Sequence, residues 1–268
     1  MPPRLVVIDV DGTLLTSQHE VTAATVEAVR RAREGGADVV LATSRPPRAL
    51  QPILARLMLR EPAVFIGSQG AITGSFTAEG HLRIVEQHPM PLDLARVTVA
   101  AAVAAGLAVN WYSGEEWLVS HLDDQVRREA RVVGFEPTVA DLDAQPTGPD
   151  KLLLIAPDNA PVTIPALVAA VPPGLHAQTS NPTYLEITRA DVDKAAALRE
   201  LCRLRGIPAE AVVAIGDGMN DLGMLTFAGT AVAPANARPE VIAAAHFITS
   251  TNDEDGVARA LDALFPGR

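Results

Sequence analysis

The chain contains one cysteine, and it contains no apolar run long enough to cross a membrane. Cys202 therefore has no partner for a disulfide within the chain, and its helical spacing from Leu198 and Leu201 predicts a buried, inert thiol. The most apolar stretch, residues 97–109, is shorter than the roughly 20 residues that a membrane-spanning helix needs. We expect a buried helix there and no membrane partner.

Basic residues are also scarce. The 22 Lys and Arg residues are outnumbered by 32 Asp and Glu, for a formal charge of -10, and they form no run of the kind that neutralises the phosphates of a duplex. Because nucleic-acid binding depends on clustered Lys and Arg, we expect no nucleic-acid partner. Residues 1–10 enter an apolar strand at once and lack the basic start and cleavage site of a signal peptide, which favours a cytoplasmic protein. An acidic protein that binds an anion must attract it with a local cation or a metal.

Both ends of the chain alternate apolar runs with helical patterns, which predicts a parallel sheet covered by helices on both faces. The predicted strands are residues 5–8, 38–42, 63–66, 211–215, 231–233 and 246–249, and the predicted helices are residues 21–33, 46–60 and 194–205. The segment between has its own strands and helices and turn-rich ends. The predicted fold is α/β: a doubly wound, Rossmann-like core formed by residues 1–87 and 183–268, with an inserted α+β domain at 88–182.

An acidic segment begins where the first predicted strand ends. Residues 9–14 read Asp-Val-Asp-Gly-Thr-Leu. In open parallel sheets ligands bind beyond the carboxyl ends of the strands, so Asp9 and Asp11 lie where chemistry is expected. The alternative is that Asp11 and Gly12 simply form a turn, which is a common use of this dipeptide.

A second acidic segment, Gly-Asp-Gly-Met-Asn-Asp at residues 216–221, follows a later predicted strand. Alone it could be a tight turn in which Asp221 caps a helix. If both segments flank neighbouring strands, up to four carboxylates converge, and unpaired like charges raise one another's pKa. A bound cation would relieve this repulsion, and oxygen ligands with no Cys or His nearby suit Mg²⁺.

Two further segments offer groups that could hold a phosphoryl group. Thr43, Ser44 and Arg45 follow the second predicted strand, where a hydroxyl, backbone N–H groups and a helix start could bind a phosphoryl oxygen. Ser44 could instead be an ordinary N-cap ahead of Pro46. Lys194 begins a predicted helix after the inserted segment. A lone lysine is usually a solvated charge, so its interpretation depends on the other motifs.

Together these segments make the chain resemble the haloacid dehalogenase superfamily, and within it the Cof-type sugar phosphatases with an inserted cap. Four motifs occur here in that family's order: residues 9–14, Thr43, Lys194 and residues 216–221. Further similarity covers Ala71, residues 231–233 followed by Asn236-Ala237, and residues 252–258, so it spans both ends of the chain. Four motifs in the right order and context argue against chance agreement.

The resemblance implies a Mg²⁺-dependent phosphatase that acts on a small phosphorylated metabolite, such as a sugar phosphate; we expect a monomer or a small homo-oligomer. Asp9 would be the nucleophile and a metal ligand, and Asp11 the general acid and base, with its backbone carbonyl on the metal. Asp217 would complete the protein ligands, and Asp221 would bind the metal or lie next to a ligand. Thr43 and Lys194 would hold the transferring phosphoryl group, and Asn220 would assist.

The chain departs from the family pattern at three places. Gln69-Gly70-Ala71 stands where relatives usually have Asn-Gly-Ala, and Asp191 and Ala195 stand near Lys194 where glycine is common. None of these is the nucleophile, so the departures bear on substrate fit rather than reaction class. In the inserted domain, the side chains that could contact a sugar are Trp111, Tyr112, Arg127 and Arg131. Each of them also fits an ordinary position in a core or on a helix face.

Three other functions remain open at this level. A phosphomutase of the phosphomannomutase type would share the fold and the aspartyl-phosphate step. A dinucleotide-binding protein is suggested by Gly216 and Gly218 after a strand, but Asp221 stands at the third glycine position and would repel a pyrophosphate. A phosphate-sensing receiver module also phosphorylates an aspartate beside Mg²⁺, but Asp11 and the large insertion favour an enzyme.

Overall fold

The computed structural model of the protein describes residues 2–59, 63–158, 160 and 163–266. Within these ranges there are fourteen strands and nine α-helices. In chain order the strands are β1 (Leu5–Asp9), β2 (Asp38–Ala42), β3 (Ala63–Gly67), β4 (Ile72–Phe76), β5 (Leu82–Gln87), β6 (Ala108–Ser113), β7 (Glu116–Val119), β8 (Thr138–Val139), β9 (Lys151–Ile155), β10 (Leu175–Asn181), β11 (Tyr184–Arg189), β12 (Val212–Ile215), β13 (Thr230–Pro234) and β14 (Phe247–Thr249). The helices are α1 (Ala23–Glu34), α2 (Pro47–Arg56), α3 (Leu92–Ala104), α4 (Asp124–Val133), α5 (Thr163–Ala170), α6 (Lys194–Arg205), α7 (Leu222–Phe227), α8 (Pro239–Ala244) and α9 (Gly256–Leu264). In the part of the chain described, no helix combines the length and hydropathy needed to cross a membrane.

The first of two compact units comprises the chain up to Ser44, Leu50–Val85 and the chain from Asp193 onward. Its sheet has the strand order β14-β13-β12-β1-β2-β3-β4-β5. The strands from β14 to β3 pair in parallel, and β4 returns antiparallel beside β3. The central strand β1 thus lies between β2, which follows it closely in sequence, and β12 from the end of the chain.

Both faces of this sheet are covered, because successive side chains of a strand point to opposite faces. Val6 and Ile8 of β1 pack into an apolar cluster with residues of α1, α2 and α9. Leu5 and Val7 pack into a second cluster with residues of α6, α7 and α8. All five residues of β1 are buried, as expected for a parallel sheet between two helix layers. The prediction of a doubly wound α/β core is confirmed.

The second unit comprises Arg45–Ala49 and Glu86–Val192. Its six-stranded sheet has the order β10-β11-β9-β6-β7-β8 and is antiparallel except between β7 and β8. One apolar cluster contains residues of α3 and α5, and another contains residues of α4. This second sheet with its own helices agrees with the predicted α+β insertion.

The limits of this unit differ from the predicted insertion at 88–182. Strand β11 forms a hairpin with β10, from Asn181 opposite Tyr184 to Leu175 opposite Arg189, and it also pairs with β9. Residues 183–192, assigned to the core from the sequence, therefore cluster with the second sheet. The turn-rich stretch used as a boundary is the hairpin turn itself. Helix α2 ends at Arg56, whereas the sequence predicted a helix over residues 46–60. The last residue of that prediction, Arg60, lies outside the described ranges.

Candidate active site

Three chain segments meet at the carboxyl edge of the first sheet. Asp9 is the last residue of β1, and it lies in register with Ala42 of β2, so that Thr43 follows directly beside it. On the other side Ile8 pairs with Ile215, the last residue of β12, which places Asp217 two residues beyond that strand. The parallel register therefore brings both acidic segments together, as predicted from their positions at the ends of two strands.

Three aspartates form a compact acidic cluster. One carboxylate oxygen from each of Asp9, Asp217 and Asp221 lies within 4.8 Å of the others. Burial raises the pKa of Asp9 well above its usual value, the charge of Asp221 raises it further, and Lys194 opposes the shift. Burial likewise raises the pKa of Asp217, against the hydrogen bond that Thr13 Oγ1 donates to Asp217 Oδ1 at 2.7 Å. Such a cluster favours the binding of a cation.

Lys194 contributes a buried positive charge to this cluster. Its Nζ donates to Asp9 Oδ1 at 2.5 Å and to Asp221 Oδ1 at 2.8 Å, and the residue is 1% exposed. Burial by itself lowers the pKa of the amine, but the carboxylates of Asp221 and Asp9 outweigh this, and the pKa is raised. The lysine is therefore charged at neutral pH. Asp193 fixes its place by capping α6, where its side chain accepts a hydrogen bond from Ala196 N at 2.5 Å.

The backbone after β1 forms a tight turn that holds Asp11 apart from Asp9. Leu15 N donates to Val10 O at 2.9 Å, and Gly12 has a φ of 80°. A Cβ at Gly12 would lie 2.6 Å from Asp217 Oδ2, so only glycine fits this turn. The side chain of Asp11 is 41% exposed, with Oδ1 at 3.9 Å from His19 Nδ1. Asp11 is thus open to solvent, whereas Asp9 is not.

The second acidic segment folds around the carboxylate of Asp221. Asp221 Oδ2 accepts hydrogen bonds from Asp217 N at 3.0 Å and Gly218 N at 2.9 Å, while its Oδ1 receives Lys194. The sequence alternative, a turn organised by Asp221, is therefore part of the site rather than a rival to it. Asn220 Nδ2 donates to Gln69 Oε1 at 3.1 Å.

Two asparagines to which sequence analysis gave no role support the turn after β1. Asn236, after β13, donates from Nδ2 to Gly12 O at 2.8 Å. Asn252, after β14, donates from its backbone N to Asn236 Oδ1 at 2.9 Å and from Nδ2 to Leu15 O at 2.8 Å. Both follow strands of the same parallel sheet, and that position is the signal that could have identified them.

The three residues after β2 are placed differently from one another. Thr43 is fully buried, its N–H donates to Ile66 O at 2.9 Å, and its carbonyl accepts from Gln69 N at 3.0 Å. Ser44 is half-buried. Arg45 groups with the second unit and donates from Nη1 to Val132 O at 3.3 Å.

The four candidate sugar-contacting residues have ordinary structural positions. Trp111 is 1% exposed in the apolar core of the second unit. Tyr112 is buried as well, and its hydroxyl donates to Glu129 Oε1 at 3.3 Å. Arg127 and Arg131 lie on the exposed side of α4.

Sequence comparison points to a known enzyme family. Residues 6–261 match the family model of the haloacid dehalogenase-like hydrolases. A putative phosphatase of Haemophilus influenzae is 30% identical over 98% of this chain and 98% of its own length. A 5-amino-6-(5-phospho-D-ribitylamino)uracil phosphatase of Bacillus subtilis is also 30% identical, again over 98% of both chains.

Structure comparison gives the same family. A haloacid dehalogenase-like hydrolase from Bacteroides thetaiotaomicron superposes with a TM-score of 0.87 and 30% sequence identity, over 98% of this chain and 100% of that one. The chain belongs to the haloacid dehalogenase-like hydrolases. Within this family it is a phosphatase, that is, a phosphoric monoester hydrolase.

Proposed function

We propose that this phosphatase hydrolyses a small phosphomonoester, such as a sugar phosphate, through a covalent phosphate ester of Asp9 and with the help of Mg²⁺. The observation that supports this most is the buried ammonium of Lys194 between Asp9 and Asp221. The charged lysine opposes the rise that burial causes in the pKa of Asp9, and it presents positive charge where a phosphoryl group would arrive.

Asp9 and Asp11 divide the chemistry between them. In the first half-reaction a carboxylate oxygen of Asp9 attacks phosphorus and the bond to the leaving oxygen breaks, while the carboxyl group of Asp11 donates its proton to that oxygen. In the second, the Asp11 carboxylate takes a proton from water as the water oxygen attacks phosphorus. The bond from phosphorus to Asp9 then breaks and inorganic phosphate is released. The partial exposure of Asp11 suits a group that must meet both alcohol and water.

The acidic cluster fits a divalent cation, because three carboxylates lie within 4.8 Å and burial raises the pKa of two of them. Asp9, Asp217 and Asp221 would hold it together with the backbone carbonyl of Asp11. When bound, Mg²⁺ would neutralise the carboxylates and the phosphoryl oxygens. Lys194 would meet the phosphoryl group from the protein side, with Thr43 and Asn220 as neighbouring donors. Ser44 and Arg45 remain proposed substrate contacts of the segment after β2.

A phosphorylated metabolite is proposed as substrate because a relative carries that activity in its name: the phosphatase of Bacillus subtilis acts on a phosphoribityl compound. A panel of phosphorylated sugars, polyols and coenzymes, compared by kcat/KM, tests this choice. Transfer of the phosphoryl group to a second sugar, without release of inorganic phosphate, would contradict hydrolysis.

The aspartate roles are tested with p-nitrophenyl phosphate, whose leaving group needs little protonation. With Asp11→Asn we expect Asp9 still to be phosphorylated, while hydrolysis of the intermediate lacks its base. A rapid burst of nitrophenol approaching about one equivalent per enzyme should therefore precede a slow steady rate. Asp9→Asn, the matched control, should give no burst. Normal turnover in the Asp11 variant, or a burst in the Asp9 variant, would refute the assignment.

A further inference from the structure

The loop after β3 has an uncommon backbone. Ser68, Gln69 and Gly70 follow one another with φ values of 50°, 62° and 102°. Glycine accepts this left-handed region readily and asparagine tolerates it, but glutamine and serine rarely occupy it. Strain of this kind persists only when the surrounding structure enforces it, and it concentrates at functional sites.

The surroundings of this loop are segments of the candidate site. Gln69 N donates to the carbonyl of Thr43 at 3.0 Å. A Cβ at Gly70 would lie 2.3 Å from the carbonyl oxygen of Asp193, so the loop packs directly against the backbone that leads into Lys194. Gln69 is only 7% exposed. The loop is therefore held between the segment after β2 and the start of α6.

The side chain of Gln69 reaches the third segment of the site. Its Oε1 accepts a hydrogen bond from Asn220 Nδ2 at 3.1 Å. At the other end of the Asn220 carboxamide, Oδ1 lies so close to Gly218 that a Cβ on this glycine would be 2.5 Å from it. The amide of Asn220 is thus confined from both ends. Because its two N–H bonds are fixed in one plane, directing one at Gln69 determines where the other points.

We propose that Gln69 is a positioning residue, which orients the Asn220 amide toward the phosphoryl group, and that the strained backbone at Gln69 is retained for this contact. Asparagine would suit the left-handed backbone better, but its side chain is one methylene shorter and cannot make the same contact. This inference rests on the proposed function, in which Asn220 is one of the donors to the phosphoryl group.

The test compares Gln69→Asn with Asn220→Ala and with the double variant. Gln69→Asn should unfold at the same temperature as the wild type or higher, because the backbone strain falls. Its kcat/KM should nevertheless fall by about tenfold or more, since small displacements of an aligned group slow the reaction strongly. In the Asn220→Ala background the same change should lower activity no further, because the two residues act as one unit.

Met58→Asn is the matched control, since Met58 also has a left-handed φ of 53° but is exposed at the end of α2. It should gain stability and keep wild-type activity. Should Gln69→Asn fail to fold, Gln69→Met keeps the length of the side chain, lacks the acceptor, and should show the same loss of activity.

Two outcomes separate this inference from the proposed function. The first outcome is a wild-type enzyme that hydrolyses phosphomonoesters together with a Gln69→Asn variant that is equally active. The same conclusion holds if Gln69→Asn lowers kcat/KM by the same factor in the Asn220→Ala background as in the wild type. Either result overturns the role of Gln69 and leaves the proposed function intact. A wild-type enzyme that hydrolyses no phosphomonoester overturns both.

Discussion

At the scale of single residues, the site separates two aspartates that lie only two positions apart in sequence. Asp9 is 4% exposed and paired with a charged lysine, whereas the side chain of Asp11 is 41% exposed. The turn at Gly12 produces this separation by reversing the chain immediately after Asp11. Burial and an ion pair suit a nucleophile, and exposure suits a group that exchanges protons with water and alcohol.

Lys194 gives the most direct prediction at this scale. Replacing it with alanine should lower kcat/KM on the order of 100-fold or more, because a preorganised positive charge at the transferring phosphoryl group is lost. Arg203→Ala is the matched control, since Arg203 is an exposed cation of the same helix that pairs with Glu200, and its loss should leave activity unchanged. Steady-state kinetics, with circular dichroism to check folding, decide the matter. An unchanged kcat/KM in the Lys194→Ala variant would mean that Lys194 forms ion pairs with a structural role only.

At the scale of elements, the candidate site is assembled from loops that follow the parallel strands of one sheet. β1 supplies the aspartates, β12 supplies the second acidic segment, and the loops after β13 and β14 hold the turn after β1 through Asn236 and Asn252. These last two loops supply no group to the proposed chemistry. Their contribution is to fix the backbone on which Asp11 is mounted.

We therefore expect Asn236→Ala to affect substrates unequally. A displaced Asp11 protonates the leaving group poorly, so turnover of an alkyl phosphate should fall several-fold more than turnover of p-nitrophenyl phosphate. Gln18→Ala is the matched control, since exposed Gln18 lies near the same turn and its side chain donates only to Ser17 Oγ among the contacts described for it. The ratio of kcat/KM for the two substrates is the measurement. An equal loss of kcat/KM on both substrates would mean that Asn236 stabilises the fold and does not position Asp11.

The elements themselves could largely be predicted from the sequence. Strand β2 and helix α6 have the predicted bounds, Asp38–Ala42 and Lys194–Arg205, because strong apolar periodicity and clear end signals coincide there. The hairpin turn at residues 181–184 could not be distinguished from a domain boundary, because the same turn residues serve both. The order of strands in the second sheet depends on pairings between distant segments, which local patterns do not contain.

The position of the acidic cluster was predictable where residue type and strand position agreed, as at Asp9 and Asp217. Their convergence with Asp221 needs only the parallel register of β1 with β12. The contact between Gln69 and Asn220 was not predictable, because it depends on a backbone conformation that glutamine seldom adopts. Nor does sequence reveal that Lys194 is buried, since a lysine at the start of a helix is usually solvated.

At the scale of the whole molecule, we expect the acidic cluster to link metal binding to folding. Excess EDTA should abolish turnover, and added Mg²⁺ should restore it, because the carboxylates of the cluster repel a phosphate dianion unless a cation intervenes. A ligand present at about 100 times its Kd stabilises the folded state by about 2.7 kcal/mol, so Mg²⁺ should also raise the melting temperature by several degrees.

Two variants locate that effect. Asp217→Asn should lose most of the Mg²⁺-dependent rise in melting temperature, whereas Asp93→Asn, at an exposed residue of α3, should keep it. Differential scanning fluorimetry with and without Mg²⁺ measures both. Full turnover in EDTA, or an undiminished rise in the Asp217 variant, would contradict a metal site in this cluster.

The position of β12 beside β1 also constrains how the molecule is made. Leu5 pairs with Val212, so the strand that bears Asp9 gains its second neighbour only after the chain has been synthesised as far as β12. Pairing across so long a loop is entropically unfavourable until other contacts support it. Lys194, Asp217 and Asp221 all belong to the same late portion. Nascent chains that stop short of Lys194 therefore contain Asp9 without its lysine or its neighbouring carboxylates, and we expect them to be inactive.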